Sequence, residues 1–174
     1  MLGEKLKHLS DSLDLFNQMY ASHLERAYNV KLRFDYTPSI NPLYGRRMSR
    51  YGWRTHPIKG NRSFHKGMDI ASWTGAPIQA TADGVVEYAG ISGTFGKVVV
   101  LQHNYGYRTV YAHCSQLLVD KGDIIKKGQV IAQVGSTGLS TGPHLHYEVR
   151  KWRKTLNPQQ FLNLDMFTAR DRVW

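Results

Sequence analysis

Short runs of β-branched and aromatic residues, each bounded by turn residues, most constrain how this chain can fold. The clearest runs lie at 84–89, 97–103, 107–113, 129–134 and 144–150. Turn sequences separate them, such as Ala-Asp-Gly at 82–84 and Asn-Tyr-Gly at 104–106. Strands that follow one another without a helical pattern between them predict an antiparallel, mainly β domain.

The N-terminal segment has a different pattern. Its apolar residues recur in steps of four and three, at Leu2, Leu6, Leu9, Leu13, Phe16 and Tyr20. These heptads predict an α-helix from Leu2 to about Tyr28 with a single apolar stripe. The stripe packs either on the chain's own domain or on a partner helix, because three heptads alone are marginally stable. The helix is therefore a candidate for homo- or hetero-oligomerisation.

We divide the chain into a helical segment with a linker (1–40), a β domain (41–164) and a tail (165–174). The stretch from Leu32 to Arg54 is basic and contains two prolines, which indicates a linker. A short helix, 159–164, is predicted to close the β domain. The helical segment is a candidate for either oligomerisation or autoinhibition.

Composition narrows the class of partner. The 174 residues include 23 Lys and Arg against 13 Asp and Glu, a formal charge of +10 that favours an anionic partner. The basic residues are scattered and no nucleic-acid motif accompanies them, so we expect no nucleic-acid partner. A single cysteine, Cys114, excludes an internal disulfide.

Two short motifs hold residues that can bind a metal ion, His-Lys-Gly-Met-Asp at 65–69 and His-Leu-His at 144–146. Because side chains alternate along a strand, His144 and His146 are expected to face the same cleft. Imidazole and carboxylate groups are zinc ligands, and a zinc hydrolase leaves one position open for water. His65, Asp69, His144 and His146 are therefore the candidate ligands.

A further histidine, His113, ends the run 107–113. Alternation predicts that Tyr111 and His113 share one face and that Ala112 and Cys114 share the other. The sulfur of Cys114 should then point into the core, which argues against a catalytic thiol.

The remaining histidines carry weaker arguments. His8 and His23 lie on the predicted helix, too far apart for a shared site. His56 precedes the first motif and is a candidate for lining the cleft. His103 lies at a predicted turn and is expected to be solvated.

Three separated sequences closely resemble the LytM or lysostaphin-type zinc peptidases, peptidase family M23. They are His65-x-Gly67-x-Asp69-Ile70, Tyr111-Ala112-His113, and Gly-Ser-Thr-Gly-Leu-Ser-Thr-Gly-Pro-His-Leu-His-Tyr-Glu-Val at 135–149. The resemblance covers about residues 45–162, including Arg-Thr-His-Pro-Ile at 54–58, and implies a barrel-sandwich-like antiparallel domain.

The resemblance implies a zinc-dependent endopeptidase that hydrolyses peptide cross-links of bacterial peptidoglycan. It implies that His65, Asp69 and His146 bind one Zn²⁺ per chain, and that His113 and His144 are the catalytic histidines. The usual glutamate base of a His-Glu-x-x-His helix is absent, so a histidine must move the proton. Which of the two histidines is the base stays open, as does a role for Asn41 as fourth ligand in a latent form.

Two alternatives compete with hydrolysis. A LytM-like module that activates another wall hydrolase without cutting typically lacks one or more of these residues, whereas all five are present here. A lipoyl-type carrier needs its lysine at a hairpin tip, and the one candidate dipeptide, Asp120-Lys121, fits this poorly.

A wall enzyme acts outside the cytoplasm, in the periplasm or cell wall. The sequence has no membrane-spanning stretch of about twenty apolar residues and no signal pattern. We therefore expect a membrane anchor upstream in the full-length protein. The bond that is cut, in a pentaglycine bridge or in a direct D-amino-acid cross-link, stays open.

Overall fold

The computed structural model describes residues 1–55, 57–58 and 60–162. The predicted tail, 165–174, and His56 lie outside these residues. The chain divides into two compact units, Met1–Phe34 and Asp35–Trp174. The elements in chain order are α1 (Leu2–Tyr36), β1 (Arg46–Ser49), β2 (Gly52–Thr55), β3 (Arg62–His65), β4 (Met68–Ala71), β5 (Pro77–Gln79), β6 (Gly84–Ser92), β7 (Gly96–Gln102), β8 (Tyr107–Leu117), β9 (Ile124–Ile125), β10 (Val130–Val134), β11 (His144–Lys151), β12 (Lys154–Leu156) and α2 (Gln159–Leu162).

Helix α1 extends beyond the predicted end at Tyr28, to Tyr36. None of its residues is buried. The side chains of its apolar stripe are exposed, Leu13 by 58% and Phe16 by 63%. Among the described residues, no helix has both the length and the apolar character needed to cross a lipid bilayer.

The second unit is built on a ten-stranded sheet in which β1, β4, β11, β8, β7, β6 and β9 are neighbours in that order. Strand β10 pairs with β5 and β8, β12 pairs with β11, and β2 with β3 form a separate hairpin. Every described strand pair is antiparallel. The predicted antiparallel, mainly β fold with an N-terminal helix is confirmed.

The predicted linker, Leu32 to Arg54, is wrong for much of its length. Helix α1 occupies its first part, and strands β1 and β2 occupy its last part. Between them Leu43 is buried in the core, and the backbone N–H of Ser39 donates to the carbonyl of Thr81 at 3.2 Å. Strand β1 shows little alternation in burial, and β2 alternates over four residues only, so neither leaves a clear sequence signal.

The core lies mainly on one side of β8 and β11. Tyr111 and Tyr147 pack there with ring centroids 5.4 Å apart, and both hydroxyls contact Oγ1 of Thr81, at 3.0 and 2.9 Å. A smaller apolar cluster, formed by Val98, Val110 and Ala112, contains residues that alternate with those of the main core. The two sides of β8 are therefore distinguished by which cluster a residue joins.

His103 is buried, so the prediction that it is solvated is wrong. Its Nδ1 atom lies 2.7 Å from the carbonyl oxygen of Asp83, and its Nε2 atom lies 2.8 Å from Oγ1 of Thr109. The ring is covered because β6 passes close by at Gly84, where a Cβ atom would lie 2.6 Å from the ring nitrogen. Burial lowers the pKa of His103 to about 4.

Candidate active site

Strands β4 and β11 bring the two sequence motifs together. They pair with Asp69 opposite His146, so residues separated by much of the chain become neighbours. His65 ends β3, and Gly67 follows it at a point where a Cβ atom would lie 2.5 Å from the carbonyl oxygen of Tyr147. Only glycine permits this approach, which explains the glycine between the histidine and the aspartate.

The atoms Nε2 of His65, Oδ1 of Asp69 and Nδ1 of His146 form a compact triangle. The two nitrogens are 3.1 Å apart, and they lie 3.2 and 2.8 Å from the carboxylate oxygen. Tetrahedral zinc, with bonds of about 2.0 Å, separates its ligand atoms by about 3.3 Å. The donor types and their spacing therefore fit a zinc ion.

In each histidine of this triangle, the other ring nitrogen has a hydrogen-bond partner. Nδ1 of His65 donates to the carbonyl oxygen of Arg50 at 2.8 Å, and Nε2 of His146 lies 3.1 Å from Oε1 of Glu148. Partners of this kind fix the orientation of metal-binding imidazoles. Glu148 is nearly fully buried, and its other oxygen lies 2.6 Å from Nη2 of Arg150.

Glu148 was missed by the sequence analysis, although a signal for it exists. It stands two residues after His146, so alternation along β11 places both on the same face of the strand. A buried carboxylate on the ligand face is a candidate to support the ligand.

The electrostatics of the cluster favour a carboxylate flanked by a protonated ring. Burial opposes ionisation of Asp69, but hydrogen bonds from His146 and His65 outweigh it and hold its pKa well below the usual range. Burial likewise disfavours a charged His146, yet hydrogen bonds to Asp69 and Glu148 raise its pKa to about 9. Nη2 of Arg54 adds a contact of 3.2 Å to Oδ2 of Asp69. The positively charged ring of His146 is thus stabilised between the carboxylates of Asp69 and Glu148.

His113 and His144 form a pair beside the triangle, with ring centroids 4.7 Å apart. Each ring donates from Nδ1 to a backbone carbonyl, His113 to Thr137 and His144 to Gly142, both at 2.8 Å. Each Nε2 atom therefore remains as an acceptor, and that of His144 lies 3.9 Å from Oδ1 of Asp69. Burial lowers the pKa of His113 to about 4, so this ring is neutral at neutral pH.

The predicted alternation at His113 is wrong. Tyr111 and Cys114 both pack in the main core, whereas Ala112 packs in the smaller cluster. Between the pairs Tyr111–Val99 and Cys114–Lys97, β8 advances three residues while β7 advances two. His113 takes up this bulge with a φ of 64°, in the left-handed region. The bulge turns its ring into the cleft and leaves the Cys114 sulfur in the core.

The loop before β7 and the loop before β11 close one side of the cleft, and their backbones contact each other. Gly96 and Gly138 have φ angles of 63° and 73°, and a Cβ on Gly138 would lie 2.4 Å from the backbone nitrogen of Gly96. The N–H of Leu139 donates to the carbonyl of Thr94 at 2.9 Å. The resulting cleft has a volume of about 170 Å³ and is lined by Arg54, Pro57, Ile58, His65, Asp69, Thr94, Phe95, His113, Leu139, Ser140, Thr141, His144 and His146.

All five predicted site residues line this one cleft: His65, Asp69, His113, His144 and His146. Asn41 is exposed and is not among the lining residues. Three candidate ligands with two free imidazole nitrogens beside them constitute a site suited to metal-assisted hydrolysis.

An antiparallel β domain with this site is the arrangement of a metallopeptidase. The sequence profile of peptidase family M23 matches residues 63–158. The chain belongs to this family, as its motifs predicted.

The sequences of curated relatives agree with this family assignment. Over 121 residues, 69% of this chain, it is 45% identical to the DD-carboxypeptidase/endopeptidase Mpg of Neisseria meningitidis serogroup B. Over 138 residues, 77% of this chain, it is 38% identical to the peptidoglycan DD-endopeptidase ShyB of Vibrio cholerae. The matched regions make up 28% of Mpg and 30% of ShyB, so the chain spans under a third of these relatives.

Solved structures share the fold. The catalytic domain of lysostaphin from Staphylococcus simulans superposes with a TM-score of 0.63 at 33% identity, over 67% of this chain and 91% of that domain. A zinc-containing peptidase from Vibrio cholerae gives a TM-score of 0.62 at 37% identity, over 71% of this chain and 38% of its own.

Proposed function

We propose that this domain is a zinc-dependent endopeptidase that hydrolyses peptide cross-links of bacterial peptidoglycan. The observation that carries the proposal is the convergence of Nε2 of His65, Oδ1 of Asp69 and Nδ1 of His146 beside the His113–His144 pair. The relative named as a peptidoglycan DD-endopeptidase supports both the substrate class and a direct cross-link between D-amino acids as the bond cut. Such a substrate lies outside the cytoplasm, which is where we expect the protein to act.

His65, Asp69 and His146 would hold the zinc ion, one per chain. The ion would take the position of the Nδ1 proton of His146, since a ligand nitrogen must be deprotonated. When bound, zinc lowers the pKa of a water molecule and polarises a carbonyl group. Arg54 keeps Asp69 oriented through its contact with Oδ2.

The paired histidines move protons. Their Nδ1 atoms are occupied by backbone carbonyls, so their Nε2 atoms are the groups that accept a proton from the attacking water or donate one to the leaving amine. His113 is neutral at neutral pH because of its burial, so it can accept a proton. The ring that has accepted the proton of the water carries an N–H at Nε2, which can hydrogen-bond the developing oxyanion before the proton passes to the leaving amine.

Two substitutions and one control variant test the proposal. Asp69→Ala should abolish stoichiometric zinc in metal analysis, whereas Asp120→Ala, at an exposed acidic residue, should leave it unchanged. His113→Ala should retain zinc and lower hydrolysis of cross-linked muropeptides by a factor of about 10² to 10⁴. Full zinc content in Asp69→Ala, or wild-type hydrolysis in His113→Ala, would contradict the assignment.

The alternative is a module that activates another wall hydrolase without cutting. That function requires no intact site, whereas the closeness of His65, Asp69 and His146 and the pairing of His113 with His144 support hydrolysis. Mass spectrometry of products from defined muropeptides separates the two functions. It also identifies the bond that is cut.

We propose that residues 1–40 serve association rather than catalysis. The apolar stripe of α1 follows a heptad pattern and its side chains are exposed, which is the sequence and surface of a coiled-coil seam. Residues 41–164 then form the peptidase domain.

A further inference from the structure

Two strained aromatic residues lie together on the surface of the β domain. Among the described residues other than glycine, only Tyr105, His113 and Trp152 have positive φ, at 59°, 64° and 56°. His113 is part of the cleft, whereas Tyr105 and Trp152 border one depression elsewhere on the domain. Bulky residues rarely adopt this conformation, and such strain concentrates at functional sites.

Trp152 has no role in the core that explains its position. It occupies the first place of the two-residue turn between Lys151 and Lys154, where glycine, asparagine or aspartate is preferred. Its side chain is 70% exposed. The indole lies against Gly106, where a Cβ atom would come within 2.7 Å of the ring, and the N–H of Trp152 donates to the carbonyl of Gly106 at 2.8 Å. The contact with Gly106 and the backbone hydrogen bond thus fix the position of the indole, and most of its surface is exposed to solvent.

Cationic side chains surround this indole. A second depression bordered by this residue is lined by Lys66, Arg108, Arg150, Trp152, Arg153 and Thr155. Arg108 is paired with Glu87 and Arg150 with Glu148, each at 2.6 Å. Within the described part of the chain Lys66 and Arg153 form no ion pair, so net positive charge remains beside the ring.

We propose that these residues form a second binding surface, which takes the glycan strand of peptidoglycan outside the catalytic cleft. The Trp152 surface consists of Lys66, Tyr105, Arg108, Arg150, Trp152 and Arg153. A sugar ring presents a face of C–H groups that packs on an indole, and the free carboxylates of the stem peptides attached to the glycan pair with guanidinium and ammonium groups. The surface supplies both kinds of contact side by side.

Its position relative to the cleft favours a wall polymer over other polyanions. Strand β11 runs from His144 to Lys151, the residue before Trp152, so about 20 Å of extended chain separates His146 from Trp152. Lys66 is the neighbour of His65 in the sequence. One polymer can therefore place a cross-linked peptide in the cleft while its glycan lies on the Trp152 surface. This inference rests on the proposed function, because it takes peptidoglycan as the polymer.

Trp152→Asn is the sharpest test, because asparagine tolerates positive φ better than tryptophan does. Binding is measured by co-sedimentation with purified insoluble peptidoglycan, in a His113→Ala background that stops hydrolysis. We expect Trp152→Asn to weaken binding at least fivefold without lowering the thermal unfolding temperature. The double substitution Lys66→Gln with Arg153→Gln should weaken binding similarly and reduce its dependence on salt.

Matched controls separate the surface from general effects. Trp73 is 68% exposed and is not part of the Trp152 surface, so Trp73→Asn should bind as the parent does. Lys121→Gln is the control for loss of charge at an exposed lysine. Equal binding by Trp152→Asn and Trp73→Asn would overturn the proposal.

A soluble cross-linked peptide without glycan tests the proposed endopeptidase function separately from the proposed Trp152 surface. If the native chain fails to cleave it, the proposed function fails. If Trp152→Asn, with His113 intact, cleaves it normally but binds insoluble peptidoglycan weakly, the second surface is supported. If Trp152→Asn instead loses affinity for a single-stranded oligonucleotide but not for peptidoglycan, the surface binds nucleic acid and the proposal is wrong.

Discussion

Nε2 of His146 and Oε1 of Glu148 are 3.1 Å apart, on the same face of one strand. The other oxygen of Glu148 is held by Nε and Nη2 of Arg150, at 2.7 and 2.6 Å. A buried imidazole is thus aligned by a carboxylate that is itself fixed by a guanidinium group. The orientation of Nδ1 of His146 toward Asp69 depends on this chain of contacts.

Glu148→Gln should weaken zinc binding by a factor of about 10 to 100, because the amide keeps the shape of the side chain but loses its charge. The measurement is a competition titration against a chelator of known affinity. Glu87→Gln is the matched control, since Glu87 is also paired with an arginine but lies outside the site. An affinity for zinc within twofold of the native value would show that Glu148 does not support the ligand.

The backbone of His113 predicts an unequal response to glycine. His113→Gly and His144→Gly each remove a hydrogen bond from Nδ1 to a carbonyl, but only His113 has a positive φ, of 64°. Glycine relieves that strain, so His113→Gly should be more stable than His144→Gly by about 1–2 kcal/mol. Urea unfolding of both variants measures the difference, and both should lose hydrolysis. Equal free energies of unfolding would mean that the left-handed conformation at 113 stores no strain.

The buried ring of His103 predicts a pH dependence of stability. Its pKa is about 4 in the folded state against an ordinary value of 6.5, so the unfolded chain binds more protons between these pH values. Its neutral ring therefore permits full stability above pH 6.5, and stability falls as pH decreases toward 4, by at most about 3 kcal/mol. His103→Gln should flatten this part of the curve of unfolding free energy against pH.

The same substitution at an exposed histidine is the control for His103. His8→Gln, on α1, should leave the slope of unfolding free energy between pH 6.5 and 4 as in the native chain. If His103→Gln and His8→Gln give equal slopes, the acid sensitivity arises elsewhere.

The stripe on α1 predicts association that one residue can abolish. Leu13 and Leu15 are 58% and 59% exposed, but only Leu13 lies on the heptad seam. Leu13→Glu should shift the chain toward monomer in sedimentation velocity, because it places a charge in an apolar interface, whereas Leu15→Glu should not. A native chain that stays monomeric at all concentrations, with no partner helix, would contradict the association proposal.

Local sequence was sufficient to predict the one strand that carries both His144 and His146, because alternation within a strand needs no distant information. It failed at His113, where the bulge arises from how β8 pairs with β7 and β10. It failed at His103 for a similar reason, since the ring is buried by the approach of Gly84 on another strand. Pairing register and close strand contacts are tertiary properties that a pattern along one segment does not contain.

The family resemblance predicted which of His144 and His146 is a metal ligand, a choice that strand alternation left open. From spacing alone, His144 and His146 were equal candidates as ligands. In the structure Nδ1 of His144 is occupied by the carbonyl of Gly142, whereas Nδ1 of His146 faces Asp69 at 2.8 Å. The distances to Oδ1 of Asp69, 2.8 Å from Nδ1 of His146 and 3.9 Å from Nε2 of His144, favour His146 as the ligand, and strand alternation does not predict this difference.

The contact between Gly96 and Gly138 has a consequence for altering which substrates the cleft admits. The loop before β7 and the loop before β11 touch backbone to backbone at Gly96 and Gly138, and Oγ1 of Thr137 accepts a hydrogen bond from the N–H of Lys97 at 2.9 Å. If only one of these loops were replaced by the corresponding loop of a relative, it would contact a second loop whose shape does not match it. Changing the shape of this side of the cleft therefore requires exchanging residues 92–97 and 135–143 together, as a single unit.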